Sequence, residues 1–267
     1  MLVSQVPLRG DRLVVDPEDA LQEAAQVKLY VINLARRKER MAFMEGQFAS
    51  LGLDVERVDA IDGELLPREE RGKAVDGFRW WCSQGYRARA GEIGCAFSHR
   101  KALAKVVEEG LSCACIMEDD VTLGKGFRDA LESAERFVVS QADAKVVIMV
   151  PCEAANGDGF VRIPWARSTG CYVVNQAAAK KLLAATSPLT STIDDWRRWS
   201  GKGGFALYAS CPAVCSQAPY GSEPFDSPFA SDTRDRDTVF VSEMKPMQRF
   251  LHKGLRIAGR TLDKLLP

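Results

Sequence analysis

The sequence predicts an α/β fold with a largely parallel sheet flanked by helices. Short apolar runs rich in β-branched residues alternate with longer segments whose apolar residues recur every three to four positions, as strands alternate with helices. The run CACIM at residues 113–117 is apolar throughout, which is typical of a strand covered on both faces. With 46% hydrophobic and 27% charged residues, the 267-residue chain has the composition of a packed globular protein.

The individual elements follow from the same patterns and from glycine stop signals. The predicted strands cover residues 27–34, 54–61, 113–117, 145–150 and 171–174, with one or two more within 206–220. The predicted helices cover residues 35–51, 91–109, 127–139 and 176–185. Residues 63–90 are charged and lack a period, so we expect a long loop there, and such loops are usually functional.

The pattern divides the chain into three parts. Residues 1–26 lack a sustained period and are expected to be an N-terminal extension. Residues 27–240 are expected to form the main domain, within which 221–237 is a polar segment typical of a flexible lid or linker. Residues 245–267 carry six basic residues and a single acidic one around an apolar helical face. Such a C-terminal helix either lies on an anionic membrane surface or packs on the domain.

Charge and hydropathy exclude several classes of protein. Basic and acidic residues number 36 each, which argues against a nucleic-acid partner, since phosphate binding needs concentrated positive charge. No apolar run could span a bilayer and no secretory signal is visible, so we expect a cytoplasmic location, or peripheral attachment to the inner face of the membrane. The eight cysteines include no CxxC pair and are expected to be reduced thiols.

The acidic triplet Glu118-Asp119-Asp120 follows the apolar strand directly. Ligands of open α/β sheets bind at the carboxyl ends of strands, so the triplet lies where a site is expected. Alternation along an extended chain puts Glu118 and Asp120 on one side, spaced to share a divalent cation, with Asp119 pointing elsewhere. The alternative is a solvated strand end or a helix cap, although a cap needs only one carboxylate.

A basic group, Arg36-Arg37-Lys38 with Arg40, stands in the first turn of the first predicted helix. Cations at this position oppose the helix dipole, so helix stability does not explain them. Together with the helix N-terminus they predict an anion site, and the alternative is a solvated basic face. The sequence has no P-loop and no dinucleotide fingerprint that would bind phosphate by another route.

Two further candidates are the pair Asp194-Asp195 and the histidine His99. The pair stands in STIDDW, beside Trp196 and Trp199, and a carboxylate next to aromatic rings suits a sugar and could act as a general base. The alternative for the pair is a helix N-cap. His99 falls on the apolar face of its predicted helix, which favours a hydrogen-bonded core histidine.

Several blocks of this sequence resemble glycosyltransferase family 25, the group of lipooligosaccharide galactosyltransferases and related collagen galactosyltransferase domains. The resemblance is carried by GEIGCAFSHRKAL at residues 91–103 and IMEDDV at 116–121. VINLARRKERM, STGCYVVNQAAAKKLL and STIDDW are similar to its opening and later blocks. The blocks run in order from about residue 27 to about residue 220.

The resemblance implies a GT-A-like, Rossmann-like fold and inverting transfer of a sugar from a UDP-sugar donor, most often UDP-galactose. It implies Mn²⁺ or Mg²⁺ as cofactor, a glycan or glycolipid acceptor of the lipopolysaccharide type, and Asp120 with Glu118 as metal ligands. The donor-binding positions that it implies are Asn33, Leu34, Arg36, Arg40, Asp59, His99, Glu118 and Asp119. Asp194 matches the family's later acidic position, and Asp194 or Asp195 is expected to be the base. The tryptophan-containing segment 68–89 is where acceptor selectivity would differ.

Two other functions remain open from the sequence. A metal-dependent nucleotidyltransferase or phosphohydrolase could use the same acidic triplet to transfer or release phosphate. A non-catalytic domain could bind a nucleotide sugar or a glycan, with Asp194 and Asp195 serving only as caps.

Overall fold

The computed structural model describes residues 27–217, so residues 1–26, 221–237 and 245–267 and the end of the predicted 27–240 domain lie outside the described residues. The strands are β1 (Lys28–Asn33), β2 (Val55–Asp59), β3 (Cys113–Glu118), β4 (Val121–Leu123), β5 (Lys145–Ile148), β6 (Gly159–Arg162), β7 (Cys171–Asn175), β8 (Ala206–Cys211) and β9 (Cys215–Gln217). The helices are α1 (Lys38–Leu51), α2 (Arg68–Ala74), α3 (Gly77–Gln84), α4 (Ala90–Glu108), α5 (Phe127–Val139), α6 (Gln176–Ala185) and α7 (Trp196–Gly203).

A seven-stranded sheet in the order β2-β1-β3-β7-β5-β8-β6 confirms the predicted α/β class. The sheet is mixed and mostly parallel, because β1, β2, β3, β5 and β8 share one direction while β7 and β6 run against it. Every residue of β5 and β7 is buried, as expected for strands in the middle of a sheet with helices on both faces. A two-stranded antiparallel ribbon, β4 with β9, lies beside the end of β3.

Helices cover the sheet with the faces that the sequence pattern predicts. In α5 the buried residues recur at helical spacing, and they are Phe127, Leu131, Ala134 and Val138. Helix α1 ends at Gly52, whose left-handed backbone (φ 59°) closes the last turn. It begins at Lys38 and not at residue 35, because residues 34–37 form a turn in which the Arg37 amide donates to the Leu34 carbonyl at 2.8 Å.

The expected loop at residues 63–90 is wrong in part, since it contains the short helices α2 and α3. Asp76 caps α3 by accepting the Arg79 amide at 2.9 Å. Trp80 of α3 is fully buried and belongs to the core, whereas Trp81 is half-buried. The charged composition concealed these helices because each buries only a narrow face or none.

The cysteines are reduced thiols, as the sequence predicts. All eight cysteines are free thiols, and the sulfurs of Cys115 and Cys171 lie 3.7 Å apart within the core. Within residues 27–217 no helix has the length and apolar character needed to cross a bilayer.

Helix α4 is held against the turn after β2 by direct contact between main chains. A Cβ atom placed on Gly94 would lie 2.5 Å from the amide nitrogen of Gly63 and 2.6 Å from the carbonyl oxygen of Ile61. Ser98, one turn further along α4, accepts the Ile61 amide at 2.8 Å. The spacing between this helix and the turn is therefore set by backbone atoms, which cannot move aside as a side chain can.

We expect Gly94→Ala to lower the free energy of unfolding by about 1–3 kcal/mol, because the added methyl group overpacks a backbone contact. The matched control is Gly46→Ala in α1, where a Cβ would meet no atom within 4 Å, and this change should raise stability by up to about 1 kcal/mol. Urea denaturation of both variants measures the difference. Equal effects of the two substitutions would contradict the close approach at Gly94.

Candidate active site

Residues from three elements meet at the carboxyl ends of β1 and β3. The two strands are parallel neighbours, with Ile32 paired to Glu118, so that Asn33 and the acidic triplet reach the same edge of the sheet. Helix α4 packs over this edge and contributes His99, which is 1% exposed. The structure thus assembles the polar groups where ligands of α/β proteins bind.

Asp119 has partners on β1 and α1, as expected of a side chain that points elsewhere than Glu118, although it lies in the turn after β3 and shares Arg40 with Asp120. Its carboxylate accepts hydrogen bonds from the Asn33 amide at 2.6 Å and from the Arg40 guanidinium at 2.9 Å. The same Asn33 nitrogen also donates to the Arg37 carbonyl at 3.1 Å. Since both neighbours are acceptors, the amide must turn its nitrogen toward them, and its buried oxygen is left without a hydrogen-bond partner.

Glu118 and Asp120 lie on the other side and share one hydrogen-bond donor. The side-chain nitrogen of Gln217 donates to Glu118 at 3.2 Å and to Asp120 at 2.9 Å. The orientation of this amide is fixed because its oxygen accepts the Ser168 hydroxyl at 2.8 Å. Two carboxylates therefore face a single point at the end of β9.

The pKa values of these two carboxyl groups move in opposite directions. Burial alone would raise the pKa of Glu118, but hydrogen bonds from His99, Thr169 and Gln217 outweigh burial and hold it below its ordinary value. Burial and the neighbouring charge of Glu118 raise the pKa of Asp120 to about 6. Asp120 is costly to ionise because burial disfavours its charge and the neighbouring Glu118 is already ionised. A cation bound between them would reduce that cost.

This donor set fits a hard divalent cation. Carboxylate oxygens are the ligands that Mg²⁺ and Mn²⁺ prefer, and Glu118 and Asp120 direct theirs to one point. Arg40, 3.5 Å from Asp120, offsets part of the negative charge. The Gln217 nitrogen stands where the two carboxylates converge, so an ion bound there requires this amide to turn away. The residues present therefore fit the expected ion.

His99 connects the acidic edge to the core. Its Nε2 atom lies 3.3 Å from Glu118, and its Nδ1 atom lies 3.1 Å from the hydroxyl of Tyr172. Tyr172 packs edge-on against Trp196, with ring centroids 5.1 Å apart. His99 is thus the hydrogen-bonded buried histidine that its helical position predicts, and it also touches the triplet.

The four basic residues at the start of α1 have different settings, and anion binding by them remains a prediction. Arg36 and Arg37 precede the helix, and Arg40 is turned inward onto the acidic triplet. Arg36 forms an ion pair with Asp62, and Leu34 lies in the turn before α1. The charge of Arg40 is used within the protein, because buried carboxylates need a counter-charge.

Asp59 ends β2 at the same edge, but its side chain is 71% exposed and pairs with Arg57 at 2.7 Å. The structure does not bring it together with the triplet. Its donor-binding role remains a prediction.

The two neighbouring aspartates before α7 have different environments. Asp195 is the N-cap: its carboxylate accepts the Arg198 amide, and it also accepts the Ser191 hydroxyl at 2.6 Å. Asp194 makes no such cap, and burial, followed by the charges of Asp195 and Glu118, raises its pKa. Asp195 therefore has the contacts of a helix cap, whereas Asp194 does not. That one of the two is the base remains a prediction, and burial, which raises the pKa of Asp194, favours this residue.

The expectation that the tryptophan rings beside these aspartates contact a sugar is wrong. Trp196 and Trp199 are both fully buried in the core. Their ring nitrogens donate to the carbonyls of Ser168 at 2.8 Å and Thr192 at 2.9 Å. Both rings stabilise the segment that carries Asp194 and cannot stack on a ligand.

Sequence reasoning missed Gln217, Thr169 and Tyr172. Gln217 lies 97 positions from Asp120 and has no charge to draw attention to it. Thr169 donates to Glu118 at 2.6 Å from the turn before β7. The only available signal was that Thr169 and Tyr172 fall within the STGCY block, which carries the family resemblance.

Residues 26–148 match the family model described as "Glycosyltransferase family 25 (LPS biosynthesis protein)". A Drosophila melanogaster "Glycosyltransferase 25 family member" is 27% identical over 240 residues, 80% of this chain and 39% of the fly protein. A Haemophilus influenzae protein, named provisionally as a glycosyltransferase, is 27% identical over 254 residues, 89% of this chain and 87% of that protein. A mouse "Inactive glycosyltransferase 25 family member 3" is 29% identical over 197 residues, 69% of this chain and 33% of the mouse protein.

The extent of these matches differs between the relatives. The chain spans less than two fifths of the length of the fly and mouse proteins. It spans most of the length of the Haemophilus protein. All three alignments are longer than the segment that the family model matches.

We expect Asp194→Asn to gain stability relative to the wild type as the pH rises from about 4 to neutrality. The folded-state pKa of Asp194 is raised, so the unfolded chain loses this proton at a lower pH and ionisation favours unfolding. The amide variant escapes this penalty. Urea denaturation of both proteins across that pH range checks the sign, and a variant that loses relative stability with rising pH would contradict the burial of Asp194.

Proposed function

Because the chain belongs to glycosyltransferase family 25, we propose that it transfers a sugar from a UDP-sugar to a hydroxyl of a glycan acceptor. The donor is UDP-galactose, the acceptor is of the lipopolysaccharide type, and transfer inverts the anomeric carbon. The observation that carries the proposal is that Glu118 and Asp120, both half-buried, accept from the same Gln217 nitrogen and so present their carboxylates to one side.

The first supporting feature is the unpartnered oxygen of Asn33. A buried acceptor without a hydrogen bond costs about 1–3 kcal/mol. A hydroxyl or ring N–H group of the donor nucleoside would satisfy it, since these groups donate. Asn33 is held in place through Asp119 and the Arg37 carbonyl, so its oxygen is oriented before the donor binds.

The second feature is the environment of Asp194. In-line attack at the anomeric carbon needs a base that takes the proton of the acceptor hydroxyl. Burial raises the pKa of Asp194, which makes its carboxylate a stronger base than an exposed aspartate. Asp195 caps α7 and so fixes the start of the helix that follows Asp194.

Asp120 and Glu118 are the residues that would hold Mn²⁺ or Mg²⁺. When bound, the ion supplies positive charge to the diphosphate leaving group. Arg40 limits the repulsion among the triplet, and Gln217 keeps Glu118 and Asp120 oriented toward one point.

A glycolipid acceptor would be met at a membrane surface. The basic residues of 245–267 and the apolar face predicted for them suit anionic headgroups, since each Lys or Arg near such a surface contributes attraction. This segment supports peripheral binding at the cytoplasmic face.

A second candidate is nucleotide-sugar binding without turnover. It is favoured by the mouse relative, whose name calls it inactive although it aligns with 69% of this chain. The two candidates share donor binding and differ only in product formation.

We expect calorimetry to detect a single preferred donor among UDP-galactose, UDP-glucose, UDP-N-acetylglucosamine and GDP-mannose, and only with Mn²⁺ present. Asp120→Asn should abolish metal-dependent binding, because it removes one of the two converging charges while keeping the side-chain shape. Glu132→Gln, an exposed position of α5, is the matched control and should bind as the wild type does. Binding that persists equally in EDTA, or no binding of any nucleotide sugar, would reject the proposed donor site.

We expect Asp194→Asn to retain donor binding and to lower the rate of sugar transfer by about 100- to 10,000-fold, as loss of a general base does. The control is Asp195→Ala, which should cost about 1 kcal/mol of stability through the lost cap yet still transfer sugar. Transfer is measured as glycan product together with released UDP. If the wild type binds donor but forms no product with lipopolysaccharide-type acceptors, the binding-only function stands instead.

A further inference from the structure

Three side chains of different chemistry converge behind the acidic triplet. Cys95 and His99 stand one turn apart on α4 and face Glu118 at the end of β3. The Cys95 sulfur, a ring nitrogen of His99 and a carboxylate oxygen of Glu118 all lie within 4.8 Å of one another. No other group of this kind occurs among residues 27–217.

The spacing of two of these atoms suits a tetrahedral ion. His99 Nε2 and Glu118 Oε1 lie 3.3 Å apart, which is long for a charge-assisted hydrogen bond. Nitrogen and oxygen ligands about 2.0–2.1 Å from a tetrahedral zinc ion are themselves about 3.3 Å apart. The pair is therefore already spaced as zinc ligands, and only the Cys95 sulfur must approach.

The surrounding contacts are those that support metal ligands. His99 Nδ1 lies 3.1 Å from the Tyr172 hydroxyl, which can accept an Nδ1–H hydrogen bond. In that tautomer Nε2 carries no proton, so a metal ion takes the place of the hydrogen bond from Nε2 to Glu118. Thr169 donates to the same Glu118 oxygen at 2.6 Å and fixes the carboxylate. These contacts hold two of the three side chains without any ion.

We propose that Cys95, His99 and Glu118 bind zinc, with water in the fourth position. Binding forms a sulfur–zinc bond in place of the S–H bond of Cys95, and the proton passes to solvent. The mixed sulfur, nitrogen and oxygen set favours zinc over Mn²⁺ or Mg²⁺, which prefer oxygen alone.

The zinc site is distinct from the oxygen pair described above, although Glu118 belongs to both. Its Oε1 atom faces His99 and Thr169, whereas its Oε2 atom faces the Gln217 amide that also reaches Asp120. The two oxygens of one carboxylate thus serve two different chemistries. Zinc binding needs no sugar donor, so it can be measured whether or not the protein transfers sugar.

The test is titration of the reduced, chelator-stripped full-length protein with Co²⁺, an optical probe for zinc sites, followed by Zn²⁺. We expect a sulfur-to-cobalt charge-transfer band and the intense visible bands of a four-coordinate ion, both abolished by Zn²⁺. Cys95→Ser should remove the charge-transfer band, and His99→Gln should weaken Zn²⁺ binding by more than the roughly 10- to 100-fold that loss of a residue supporting a ligand costs.

Matched controls exist for both ligands. Cys211→Ser changes another half-buried thiol, and His252→Gln changes the chain's other histidine; both should keep the wild-type spectrum. Circular dichroism verifies folding, and Cys95→Ala replaces Cys95→Ser if the serine variant unfolds. No cobalt–sulfur band in the wild type, or an undiminished band in a folded Cys95 variant, would overturn the proposal whether or not the protein transfers sugar.

Discussion

Three consecutive carboxylates at the end of a buried strand are the constraint on which this structure depends. Like charges at neighbouring positions repel, and burial makes each of them more costly than it is in water. The carboxylates are therefore partnered by several separate parts of the chain: β1 supplies a partner for Asp119, α4 for Glu118, α1 for Asp119 and Asp120, and β9 for Glu118 and Asp120. The elements around β3 are consequently tied to one another through polar contacts at a single edge.

Much of this arrangement could be predicted from local sequence. The apolar runs predicted β1, β3, β5 and β7, and the sequence predicted that the acidic triplet stands at the end of β3. These features depend on residues within a few positions of one another, and periodicity reports such relations directly. The class of fold and the position of the candidate site follow from them.

Other features depend on partners distant in the chain. The direction of β7 was not predictable, because five buried residues read alike in either orientation. A tryptophan beside an aspartate is compatible both with sugar binding and with a place in the core. In the structure Trp196 is buried in the core. The sequence was compatible with an external anion at Arg40, but in the structure Arg40 pairs with a carboxylate of the protein itself. No pattern in the sequence indicates that the Gln217 amide contacts both Glu118 and Asp120.

The contact between Gly94 and the turn at Gly63 has a consequence for how this protein could be altered. A distance set by two main chains is insensitive to most substitutions elsewhere, because the only side chain described at this contact is Ser98, which accepts the Ile61 amide. Libraries that randomise residues lining the donor and acceptor regions would therefore vary selectivity without changing the distance between α4 and the turn after β2. Those two glycines are the positions that such libraries must leave untouched.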